Sequence, residues 1–308
     1  MLEDMPAGTF DRALLALFVV IALALLSRRT QKPLQERFRR RPGALFLVPA
    51  ALCALFFLFL RLHAAADRRF LLLLCAYAFA PAALVYLNGA GGAPRAGREA
   101  RPWLDLAAVL LLWLPLEMNL GAELLPGPLR GTAHSIAYGL AVVLVLALFL
   151  LFRAMSGMKY VVPGEGRDAL RWLGIAIAVI PLLAVAGHAL SFIDPFHVPA
   201  DLAAERLAAT FAVIYLATAL PEEILFRGLI QNWLAQRWGD NWKSLLVASI
   251  IFGAAHLNNG PGALPNWRYM ILATVAGVGY GRVFQRTTSI LWPAALHATV
   301  NTLRHTFF

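Results

Sequence analysis

Charge is what this chain has least of. Only 14% of its 308 residues are Asp, Glu, Lys or Arg, 60% are hydrophobic, and the mean hydropathy is +0.68. Soluble domains carry about 25% charged residues, so this composition excludes a fully water-exposed globular surface. Cysteine is nearly absent. Cys53 and Cys75 both fall in apolar segments without the spacing for zinc or thiol exchange, which excludes a disulfide scaffold and casts both as core filler. Several hydrolase signatures are missing as well: no HExxH, no GxSxG, no GxGD, and no serine in a nucleophile setting.

Long apolar runs are what the chain has in abundance. A helix crosses a bilayer with roughly 17 to 25 apolar residues. Runs read against that length lie near 11–27, 43–62, 69–88, 103–119, 133–153, 169–191, 205–228, 243–257, 268–285 and 289–305. The expectation is an all-α polytopic membrane protein with about ten transmembrane helices. Residues 88–102, "NGAGGAPRAGREARP", read as a flexible connector rather than a phosphate cradle.

The net charge of +10 invites a nucleic-acid reading, but the cations gather in alternate loops. Eighteen of the 27 Lys/Arg fall in one set of loops and eight in the opposite set and tails, with Arg227 inside a helix. That asymmetry satisfies the positive-inside rule with the N-terminus outside, and no nucleic-acid partner is expected. The first run follows Glu3, Asp4 and Asp11 and precedes Arg28 and Arg29, the reverse of a signal peptide's basic start, so it reads as an uncleaved anchor.

Polar residues are unevenly spread. Glu117, His134 and His188 lie near run ends, where the interface solvates them. The last four runs carry Glu222, Glu223, Arg227, His256, His297 and Asn301. Each mid-bilayer charge costs about 2.5–3.5 kcal/mol on insertion scales and asks for a compensating role. The chain therefore divides into 1–168, helices of unknown role, and 169–308, a C-terminal helical bundle holding an intramembrane catalytic pocket, with its motifs within 221–301.

In "ALPEEILFRG", Glu223 and Arg227 are four apart in the favourable order for a helical ion pair. Glu222 is rotated about 100° from Glu223 and is left to face a partner. Phe252 and His256 in "FGAAH", and His297 and Asn301 in "HATVN", repeat the same spacing, so each pair projects from one helical face. If the seventh helix continues to about residue 238, Glu222 lies about 22 Å from its cytoplasmic end, within two turns of the depths of the other three residues. Pro221 is placed to kink that helix. Gly277 and Gly281 have the GxxxG spacing for close helix approach. A carboxylate, two histidines and an asparagine suit hydrolysis. Glu222 activates water, His256 holds it, and His297 with Asn301 donates to an oxyanion.

"EEILFRG", "FGAAH" and "HATVN" match, in order, the EExxxR, FxxxH and HxxxN motifs of the CAAX prenyl-protease and bacteriocin-processing (CPBP, or Abi) family, and the chain resembles those intramembrane glutamic endopeptidases over about residues 200–308. The resemblance implies the same catalytic set, Glu222, His256, His297 and Asn301, supported by Glu223, Arg227 and Phe252. No cofactor is expected, with zinc as the alternative. The expected substrate is a membrane-associated or C-terminally anchored protein or peptide, met in the lipid bilayer of a bacterial inner membrane. Prenylated tails rank below secreted-peptide maturation and sorting-signal cleavage. A transporter or channel, or a catalytically silent immunity or binding protein, are the competing readings. Oligomeric state is not legible in the sequence.

Overall fold

The computed structural model describes residues 7–89, 101–164, 166–200, 202–260 and 264–308. Glu3, Asp4 and most of the 88–102 connector lie outside them. The described residues form helices and turns with no strand. Eleven helices follow in chain order: α1 (Ala7–Ala24), α2 (Arg28–Arg40), α3 (Pro42–Leu62, its first turn 3-10), α4 (Arg68–Asn88), α5 (Pro102–Glu117) and α6 (Gly127–Phe152). Then come α7 (Gly166–Ala189), α8 (Ala204–Trp238), α9 (Trp242–Ala254), α10 (Trp267–Arg286) and α11 (Leu291–Phe307).

Every apolar run of the sequence falls on one of these helices, but they differ in reach. Five (α3, α4, α6, α7 and α8) are long and apolar enough to cross a membrane, or six spans if α1 and α2, bent by 93°, count as one. The chain is an integral membrane protein of helical build. The rest fall short for visible reasons. The 13 residues of α9 reach about 20 Å against a hydrocarbon core of about 30 Å, and α10 carries Arg268, Arg282, Arg286 and three glycines.

Two compact units divide the chain, Met1–Ser156 and Gly157–Phe308. In the first, α6 is the buried centre, with Ile136, Leu140, Leu144 and Phe149 all 0% exposed. Its far end carries a buried ion pair, Arg153 to Asp105 at 3.1 Å, and Arg153 also donates to the carbonyls of Asn88 and Gly89. Asn88 in turn accepts from the Arg101 amide, so both ends of the connector are anchored. The cysteines correct an expectation: Cys53 is half-buried and Cys75 exposed. In lipid an apolar side chain gains nothing by leaving the surface, so apolarity does not mark the core here.

The second unit begins at Gly157, and Lys159 ties its start to the far end of α10. The Lys159 ammonium donates to the carbonyls of Phe284 and Thr287, satisfying groups a helix C-terminus leaves open. Burial lowers the Lys159 pKa from its ordinary value. Asn241 starts α9 with a reciprocal capping box to Ser244, and Gly239 (φ 86°) ends α8. α7 is almost bare, with Leu170 72% and Val185 69% exposed, as a helix facing lipid would be.

α10 packs on α9 and α7 through glycines. A Cβ on Gly277 would stand 3.2 Å from the Ser249 Cα, and one on Gly253 would stand 2.6 Å from the Met270 carbonyl oxygen. The GxxxG face therefore brings α9 and α10 together. Gly253→Ala is expected to cost about 1–3 kcal/mol through overpacking, read as a lower melting temperature in detergent. Gly174→Ala on α7, where a Cβ meets nothing within 4 Å, should be neutral or stabilising. Equal melting of the two variants would overturn the packing argument.

Candidate active site

The site is built around an interruption in α8. Pro221 has no N–H for the Ala217 carbonyl and its ring crowds that oxygen. The helix absorbs both by widening to π-helical turns over Tyr215–Ala219, and it widens again over Ile224–Gln231. Such turns concentrate at functional sites. Leu220–Glu223 is the short α-helical piece between them, and it carries both glutamates. The helix runs on to Trp238, as the depth argument required.

Glu223 is 0% and Arg227 1% exposed. Arg227 Nε lies 3.2 Å from Glu223 Oε2, and Arg227 Nη2 donates to the Gly277 carbonyl at 3.0 Å. The guanidinium sits over the Phe252 ring, 4.5 Å from its centroid, and 5.5 Å from that of Tyr280. A buried cation is thus compensated by one carboxylate, one carbonyl and two ring faces.

The other oxygen of Glu223 reaches a different helix. His297 Nδ1–H on α11 donates to Glu223 Oε1 at 3.0 Å. A carboxylate only accepts, so this bond sets the proton on Nδ1 and leaves Nε2 pointing away from Glu223. Glu222 Oε2 stands 3.8 Å from that Nε2, beyond hydrogen-bond range. The imidazole is therefore flanked by both glutamates, and the Glu222 side chain is the more open of the two, 21% exposed against 0%. Tyr280 stacks on the same imidazole, centroids 4.6 Å apart and planes at 16°.

His256 lies just beyond the end of α9. Its Nδ1–H donates to the Phe252 carbonyl at 2.8 Å, which leaves Nε2 as the acceptor when the ring is neutral. Phe252 is the hub of the cluster: its ring meets Phe226, His256, Tyr280 and His297 at centroid distances of 4.8–6.1 Å. Tyr269 closes the His256 side at 4.6 Å, and the Arg304 guanidinium lies 5.3 Å from the Tyr269 ring centroid. Asn301 sits one turn beyond His297 on α11, half-buried, and its side chain makes no hydrogen bond among the described residues.

Six of the seven residues singled out in the sequence are thus joined by contacts: Glu222, Glu223, Arg227, Phe252, His256 and His297. Asn301 shares the helix of His297. Two features escaped sequence reasoning. Glu223 supports a histidine as well as an arginine, and Tyr280 is part of the cluster. Tyr280 is the sole aromatic in "ATVAGVGYG", a signal masked by the glycine spacing that marks the stretch as a packing face.

Among the described residues, no three His, Cys, Asp or Glu side chains group as a metal site. Glu223 Oε1 accepts from His297, and Oε2 faces the Arg227 guanidinium at 3.2 Å, so a positive charge already stands beside the carboxylate and the residues fit a metal poorly.

An uncharacterized 24.3 kDa protein of Escherichia coli is 28% identical over 177 residues, covering 54% of this chain and 77% of that protein. No solved structure matches the chain. Residues 204–303, which hold the whole cluster, match the sequence model of the type II CAAX prenyl endopeptidase Rce1-like proteins. The stretch that carries the three motifs, on α8, at the end of α9 and on α11, is thus similar to the Rce1-like family of CAAX endopeptidases.

Proposed function

We propose that the protein is an intramembrane glutamic endopeptidase that hydrolyses a peptide bond of a membrane-associated or C-terminally anchored substrate. The observation that carries this reading is the His297 imidazole held between Glu222 and Glu223, with the Glu223 charge balanced by Arg227. Glu223 is fully buried and the Glu222 side chain is 21% exposed, so Glu222 is the carboxylate that water can reach.

In this reading Glu222 takes a proton from water as the oxygen attacks the scissile carbonyl, and later passes that proton to the departing amine. His256, its Nδ1–H fixed on Phe252, offers Nε2 to the same water. The tetrahedral oxyanion takes hydrogen bonds from the Asn301 amide and from His297. His297 donates from Nε2 only when it carries a second proton, and Glu223 is then the counter-charge of the imidazolium. Each oxyanion donor is worth about 10²–10³ in kcat. No step needs a metal. The orientation proposed, with the N-terminus outside, rests on the Lys/Arg asymmetry of the loops.

The test uses the full chain in proteoliposomes with membrane-anchored peptides, including tails ending in a sorting signal. Cleavage is expected to persist in chelator and to fall about 10²–10³-fold in Asn301→Ala. Chelator inhibition reversed by zinc would overturn the metal-free mechanism. Ion or solute flux without cleavage would replace the peptidase reading by a transporter.

A further inference from the structure

The first unit carries a surface that this chemistry does not use. α2 leaves α1 at 93°, turning through Leu25–Ser27, where the Ser27 side chain caps the new helix. A narrow stripe docks it. Gln31 donates to the Leu25 carbonyl at 2.7 Å, Gln35 to the Leu150 carbonyl at 2.9 Å, and Phe38 meets the Phe152 ring edge-on at 6.0 Å. The cations of α2 occupy an arc of about 180° on the opposite side, counted at 100° per residue.

Arg28, Arg29, Lys32, Arg37, Arg39 and Arg40 are all exposed, and Arg41 follows directly. Glu36 engages Arg40 at 2.8 Å and Arg39 at 3.7 Å. Arg28, Arg29, Lys32, Arg37 and Arg41 have no carboxylate partner among the described residues. The level of this face follows from α1, which exposes Leu17, Val20 and Leu23 up to the bend. Apolar side chains of that size mark hydrocarbon, so the boundary falls at Ser27, and a helix turned perpendicular there runs along the headgroups.

We propose that this face binds the phosphate groups of anionic phospholipids and seats the first unit on one leaflet. Charge asymmetry between loops orients a chain without any need to gather cations on one helical arc. Here they are gathered on an arc held clear of the protein by the docked stripe. Juxtamembrane clusters of four to eight Lys/Arg are the usual size for recognising anionic lipid.

The experiment adds phosphatidylglycerol or phosphatidylcholine to the purified full chain in detergent and reads retained lipid by native mass spectrometry. The wild type should prefer phosphatidylglycerol, and raising the salt should weaken the preference. Replacing Arg28, Arg29, Lys32, Arg37 and Arg41 by Gln should lower that preference at least about tenfold. Replacing the four arginines by Lys should keep it, as should Arg68→Gln/Arg69→Gln at the opposite end of α4. A salt-insensitive preference, one equal in wild type and the Gln variant, or binding of polyglutamate with no preference for the lipid would overturn the proposal. If the Gln variant does not fold, the salt response of the wild type and of the Lys variant decides.

Discussion

Glu222→Gln should abolish peptide hydrolysis and leave the fold intact. Gln keeps the shape of the side chain and its hydrogen-bonding capacity but cannot take a proton from water. Positioned general acid–base groups contribute about 10²–10⁴ in rate, and here one carboxylate serves as both base and acid, so the expected loss lies at the upper end. Stability should change little because Glu222 is outside the buried ion pair and its side chain is 21% exposed. The measurement pairs a cleavage assay in proteoliposomes with a melting curve in detergent. Activity within tenfold of wild type would remove Glu222 from the role of base. Lost activity with a collapsed melting transition would move it to the support of the fold.

Breaking the pair behind it should do the opposite, costing stability first. Arg227→Leu leaves the Glu223 charge in a place with no access to water, and uncompensated buried charges of this kind cost about 3–5 kcal/mol. The variant also loses the hydrogen bond to the Gly277 carbonyl and the contact with the Phe252 and Tyr280 rings. Glu223→Gln should cost a comparable amount, since Arg227 then has no counter-charge and His297 loses its carboxylate acceptor. The double variant, with neither charge, should recover part of the loss, because the partners of a buried pair couple non-additively. Melting of the four proteins in detergent gives the cycle. Strictly additive losses would mean that the pair does not compensate itself, and the separation of Glu222 from Glu223 would lose its physical basis.

Much of the site was legible because its cues are local. Four-residue spacing put Glu223 with Arg227, Phe252 with His256, and His297 with Asn301, and helix geometry alone turns such spacing into shared faces. Glu222 stood apart by the same rule. What was not legible depends on which helix lies beside which. Nothing in "HATVN" says that His297 meets Glu223, and nothing around "GVGYG" says that Tyr280 stacks on His297. The π-helical turns around "LPEE" were foreshadowed only by Pro221, since the backbone answers to a missing N–H with whatever register its neighbours permit.

Burial was misjudged for a related reason. The apolar setting of the α3 and α4 cysteines places both inside, yet Cys53 is only half-buried and Cys75 is exposed, since a lipid surface is satisfied by apolar groups. By contrast, a polar residue in a helix flanked by lipid must find a partner in the protein or at the interface. Glu223, Arg227 and His297 did so, which is why the charged residues located the core more accurately than the hydrophobic ones.

The sequence by itself determined that the chain is a helical membrane protein, where its apolar helices fall, and which residue types stand one turn apart on them. These properties follow from hydropathy over a bilayer's thickness and from the fixed pitch of the helix. The tertiary structure alone decided that Glu223 serves both Arg227 and His297, that α9 and α10 approach through Gly253 and Gly277, and that α2 turns its cations out at 93°. Each is a contact or an angle between segments far apart in the chain or beyond a helix end, where no periodicity reaches and only packing chooses.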